Sequence, residues 1–134
     1  LCAISPSAAV VRRRVFEEIG WFDEQLPACE DYDLWLRFCA RHPVLFVDEA
    51  LVVKHGGRDD QLSRRIEALD RYRIRALDRL LCDVELNARE RDAARSTLLE
   101  KARIYAAGAR RRGRLEEADE VLALAQRHGE ATTE

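Results

Sequence analysis

The sequence predicts an α+β chain, mainly helical: a partial α/β segment with short strands, followed by a three-helix C-terminal region. Three observations predict it. Short runs of small and β-branched residues at 8–11, 44–47 and 51–55 are bounded by turn-forming residues, the pattern of short strands. From Ser63 onward the composition shifts to helix formers with few breakers, and apolar residues recur at steps of three or four. Between these regions lies Cys29-Glu30-Asp31-Tyr32-Asp33-Leu34-Trp35-Leu36-Arg37, which sets three carboxylates at a helix start and runs directly into large apolar side chains.

Taken in order, residues 8–11 (Ala-Ala-Val-Val) follow a Ser-Pro-Ser turn and read as a buried strand. Residues 13–19 read as a short helix with Val15, Phe16 and Ile19 on one side, and Gly20 ends it. Trp21 and Phe22 read as core, and residues 22–27 as an exposed loop held by one aromatic anchor. The next helix spans about residues 30–41 and stops before Pro43. Glu30 and Asp31 fall in its first turn, where free N–H groups and the helix dipole favour negative charge. At 100° per residue, Asp31, Leu34, Trp35 and Phe38 share a face. A carboxylate on a core-facing stripe costs several kcal/mol unless it is paired. Asp31 therefore reads either as a helix cap or as a functional acid. Residues 44–47 and 51–55 read as two strands separated by Asp48-Glu49-Ala50, with Gly56-Gly57 breaking the second.

In the second half, residues 63 to about 86 place Ile66, Leu69, Leu77, Leu80, Leu81 and Val84 near one face of an amphipathic helix. Asn87 marks a break. Residues 88–112 carry Ala94, Leu98, Ala102, Tyr105 and Ala109 at helical spacing, and Gly113 ends that segment. Residues 114–128 form a third helix that stops at Gly129. The hairpin around Gly113 resembles one tetratricopeptide-type repeat, a unit that needs a neighbour to bury its face.

Bulk properties narrow the function classes. The chain balances 23 basic against 25 acidic side chains for a net charge of −2, which gives no drive toward nucleic acid or anionic membrane. Arg110, Arg111, Arg112 and Arg114 form a basic cluster that reads as cations meeting a helix C-terminus. No apolar run approaches the roughly 18 residues that a membrane span needs. No signal peptide is evident. None of the four cysteines forms a CxxC pair. Cys29 and Cys39 would sit on the order of 15 Å apart along one helix, too far to bridge. The cysteines read as reduced thiols and the location as cytoplasmic. With no Met and with Leu1 first, the sequence reads as a fragment or a trimmed chain.

The order of motifs in the first half is specific. Ser-Pro-Ser, a short apolar run, Arg-Arg, a short helix ending in Gly, Trp21-Phe22-Asp23-Glu24, Cys29 to Arg37, Lys54-His55-Gly56-Gly57 and Asp59-Asp60-Gln61-Leu62-Ser63 follow one another. This order resembles the C-terminal, acceptor-side half of a family 2 glycosyltransferase domain of the GT-A fold. Domain organisation follows: residues 1–62 as that half, and residues 63–134 as a helical extension with the repeat-like hairpin.

The resemblance implies transfer of a sugar from a nucleotide-sugar donor to an acceptor hydroxyl with inversion. It makes Asp31 the general base, with Glu30 holding the acceptor or the neighbouring loop. A base at that point must take a proton as the hydroxyl attacks, which suits a carboxylate fixed on a helix start. The resemblance also makes His55 a metal or diphosphate ligand, against the plain reading of a surface histidine. Lys54, Gly56 and Gly57 become substrate-binding candidates. A divalent metal, Mg or Mn, is expected for the parent enzyme. The family's nucleotide-binding half, with its Asp-x-Asp pair, is not in these 134 residues, so the isolated chain is expected to be inactive and to self-associate. The alternative is a helical protein–protein interaction module carrying a remnant transferase segment.

Overall fold

The computed structural model describes residues 4–53, 55 and 68–129. The chain divides into two compact units, Leu1–Leu69 and Asp70–Glu134. Among the described residues the secondary structure is helical, with five α-helices, one 3₁₀ turn and no strand.

In the first unit, Pro6–Ala8 forms the 3₁₀ turn, with proline in its first turn where a missing N–H costs nothing. Helix α1 covers Arg13–Ile19. Gly20 follows at φ 81°, a conformation open to glycine, and its N–H donates to the Phe16 carbonyl at 2.9 Å. Helix α2 covers Glu30–Cys39. It closes two residues before the expected Arg41, because the N–H groups of Arg41 and His42 both turn back onto the Phe38 carbonyl, at 3.0 and 2.8 Å. Val15, Leu26, Ala28, Leu34 and Trp35 form the buried apolar core of this unit.

The α/β expectation for this segment is overturned. Residues 8–11 hold the end of the 3₁₀ turn and irregular chain, and residues 44–47, 51–53 and 55 are irregular. Lys54 lies outside the described residues. The apolar side chains there are exposed: Leu45 at 91%, Phe46 at 85% and Val53 at 79%. β-Branched runs form strands by packing onto a pleated, partly buried surface and by pairing with a neighbour. The described residues supply neither, so the composition alone does not make a sheet. Trp21 and Phe22 also depart from the core reading, being 60% and 39% exposed. Trp21 instead stacks on Phe16 with ring centroids 4.6 Å apart and planes within 10°.

The second unit is a three-helix arrangement. Helices α3, α4 and α5 cover Asp70–Asp83, Ala88–Arg111 and Leu115–Arg127. The start of the expected helix from residue 63 lies mostly outside the described residues. Asn87 caps α4 with a complete capping box: its side chain accepts from Glu90 N–H at 2.9 Å, and Glu90 accepts from Asn87 N–H at 3.0 Å. The α4–α5 turn is a Schellman motif. Gly113, at φ 75°, donates to Arg110 O, and Arg114 donates to Ala109 O, both at 3.0 Å. Small side chains lie at the packed faces, with Ala102, Ala109 and Ala118 fully buried beside Leu98. Ile74, Leu77, Leu80, Leu81 and Tyr105 complete the core.

Candidate functional site

The first turn of α2 is the candidate site. Its entry is unusual: Cys29, the N-cap residue, has φ 62° and ψ 22°, in the left-handed region that non-glycine residues seldom occupy. Such backbone persists where the surroundings hold it, and it recurs at functional sites. Here the Cys29 thiol donates to the Leu69 carbonyl at 3.7 Å, and Asp33 N–H donates to Cys29 O at 3.1 Å. The sequence carries no signal for this conformation, which glycine or asparagine would have announced.

Glu30 and Asp31 follow at the open N-terminus of the helix, both half-buried. One Asp31 carboxylate oxygen accepts from Tyr32 N–H at 2.7 Å. The carboxylate is thus held on the backbone of a regular element while part of it stays accessible.

The acid that the helix buries is Asp33, not Asp31. Asp33 is 2% exposed and lies with Leu34 and Trp35 on the buried side. It is paired. Arg37, one turn along, donates to its Oδ2 from Nε at 3.0 Å and from Nη2 at 2.8 Å. The same guanidinium donates to the carbonyls of Ile19, the last residue of α1, and of Gly20 and Trp21, which follow it. Five donors in a fixed fork suit this task. They neutralise a buried carboxylate and fill the orphan carbonyls of a helix end together. Arg37 is thus the structural ion-pair partner of Asp33. The clamp ties α1 to α2 and thereby sets the direction in which Glu30 and Asp31 are presented. Trp35 packs beneath, edge-on to Phe38 with centroids 5.9 Å apart.

The remaining candidates are not gathered here. His55 is exposed, and Lys54, Gly56 and Gly57 lie outside the described residues. The described residues do not gather three metal-ligating side chains around His55. No helix among the described residues is long and apolar enough to cross a membrane.

The site lies within a segment that has known relatives. Residues 1–62 match the family described as glycosyltransferase like family 2. An uncharacterized glycosyltransferase of Rickettsia felis is 37% identical over 57 residues, which are 42% of this chain and 9% of that protein. One of Rickettsia conorii is 38% identical over 53 residues, 40% of this chain and 9% of its own length. One of Rickettsia bellii is 34% identical over 55 residues, 41% of this chain and 8% of that protein. The chain thus spans about a tenth of the length of these relatives. No solved structure gives a significant match.

Proposed function

We propose, from the premise that residues 1–62 are a piece of a glycosyltransferase-like family 2 domain, that the first turn of α2 is the acceptor side of a sugar-transfer site. Asp31 is the general base, and Glu30 orients the acceptor. The acceptor hydroxyl gives its proton to the Asp31 carboxylate as its oxygen attacks the anomeric carbon. The bond to the nucleotide diphosphate breaks on the opposite face, with inversion. The observation that carries this reading is the half-exposed Asp31 at the start of a helix fixed by the Asp33–Arg37 clamp, inside the matched segment. A base gains from such fixed placement, since proton transfer from a positioned side chain contributes roughly 10²–10⁴-fold.

The transfer is an activity of a longer protein. Most of the rate in such a reaction comes from positioning the donor and stabilising the departing diphosphate. Asp31 and Glu30 supply neither, so the 134 residues alone do not turn over a sugar nucleotide. The test uses the full-length parent protein. Asp31→Asn should cut kcat by about 10²-fold or more while leaving donor binding intact. Asp33→Asn should instead lower stability. Turnover by the Asp31→Asn enzyme at the parental rate would remove Asp31 from the role.

The helical unit has a second reading, an interaction module. It is favoured by the end of the family match at residue 62 and by the compaction of Asp70–Glu134 as its own unit.

A further inference from the structure

We infer that the helical unit carries a divalent transition-metal site made by Asp78, Cys82 and His128, suited to zinc. The three side chains come from the two ends of that unit's sequence. Asp78 and Cys82 are four residues apart on α3, so they share one face. His128 is the C-cap residue of α5. The His128 Nε2 lies 2.7 Å from Asp78 Oδ1, and the three potential ligand atoms all lie within 4.8 Å of one another.

This is the donor set of a zinc site rather than of a magnesium or calcium site. Thiolate and imidazole select borderline and soft ions, whereas hard ions take oxygen alone. Tetrahedral zinc with ordinary bond lengths would set these ligand atoms about 3.3–3.6 Å apart. The histidine–aspartate pair therefore needs to open by less than 1 Å, and the sulfur, within 4.8 Å of both, to approach by at most about 1.3 Å. Cys82 is exposed, and His128 sits past the last helical turn, so both can make that adjustment. Three protein ligands leave a fourth position for water. The site joins the end of α5 to the C-terminal half of α3, so an ion bound there would tether the last helix.

The site is separate from the glycosyl-transfer reading, which draws on residues 30 and 31 of the other unit. Its test is direct binding by the full 134-residue chain under reducing conditions. Titration with Co²⁺ should saturate at one ion per chain. It should give a thiolate-to-cobalt charge-transfer band and the strong visible bands of a tetrahedral ion, both removed by added Zn²⁺. Cys82→Ser should abolish the charge-transfer band although three other cysteines remain. His128→Ala should weaken binding at least tenfold. Far-ultraviolet circular dichroism, unchanged in both variants, separates ligand loss from unfolding. Zn²⁺ should raise the thermal midpoint of the parent chain and not of Cys82→Ser. Absence of the charge-transfer band in the parent, or its persistence in Cys82→Ser, would leave only a His128–Asp78 hydrogen bond and overturn the proposal.

Discussion

At the residue scale, the informative pair is Asp33 with Arg37. Helical periodicity correctly placed an acid against the core of α2 but selected Asp31. The difference arises because Ile19 at the end of α1, with Gly20 and Trp21 after it, offers three carbonyls to Arg37, which in turn supplies a counter-charge for Asp33. A tertiary partner, invisible in the spacing of one helix, decides which carboxylate is buried. Removal of Arg37 leaves Asp33 buried and unpaired, so Arg37→Ala should cost about 3–5 kcal/mol. Arg37→Lys should recover only part of that, because one ammonium cannot serve the carboxylate and the carbonyls in fork geometry. Urea denaturation of the three proteins checks both statements. A loss for Arg37→Ala under about 1 kcal/mol, the value of an exposed pair, would show that the clamp contributes little. Asp31 was legible as an acid in a first turn, and the family resemblance gave it a role. The left-handed backbone of Cys29 that launches the turn was not legible, since nothing in a cysteine side chain calls for it.

At the element scale, the helices were legible, whereas the expected strands do not form among the described residues. A helix closes its hydrogen bonds within the segment, so apolar spacing and end signals suffice to place it. Residues 13–19 were bounded by sequence alone, and the α4–α5 hairpin was placed by Asn87, Gly113 and Gly129. A strand's hydrogen bonds lie in a neighbour, which the runs at 44–47 and 51–55 cannot specify. The two end signals of α4 can be tested separately. Gly113→Ala meets no atom within 4 Å, so crowding is not its problem. Its cost is the left-handed backbone, about 1–2 kcal/mol. Asn87→Ala removes one acceptor of the capping box and should cost about 1 kcal/mol. The sites lie at opposite ends of a 24-residue helix, so the double variant should show the sum within about 0.5 kcal/mol. Thermal melts followed by circular dichroism decide this, and a double variant no worse than either single one would show that the hairpin frays as one piece.

At the scale of the whole molecule, acid acts on the helical unit through two carboxylates, Asp70 and Glu117. Asp70 is partly buried, which alone would raise its pKa. Arg73 at 3.0 Å and Lys101 at 3.3 Å outweigh that and hold it below the usual range. Glu117 is held low chiefly by the hydroxyl of Tyr105, with Arg114 adding attraction. Both folded values lie below the unfolded ones. Their contributions are therefore complete above the ordinary carboxylate range and are lost as pH falls through the depressed folded values. The helical unit should keep its stability down to about pH 4–5 and weaken progressively below that. Lys101 links α4 to the start of α3, and Tyr105 links α4 to α5, so protonation loosens both joints together. Asp70→Asn with Glu117→Gln should lower stability at neutral pH and flatten its decline below pH about 4, because the groups that bind those protons are gone. Urea midpoints of the parent and double variant, read by circular dichroism across that range, give the two slopes. Parallel slopes would place the acid sensitivity of this unit in other carboxylates.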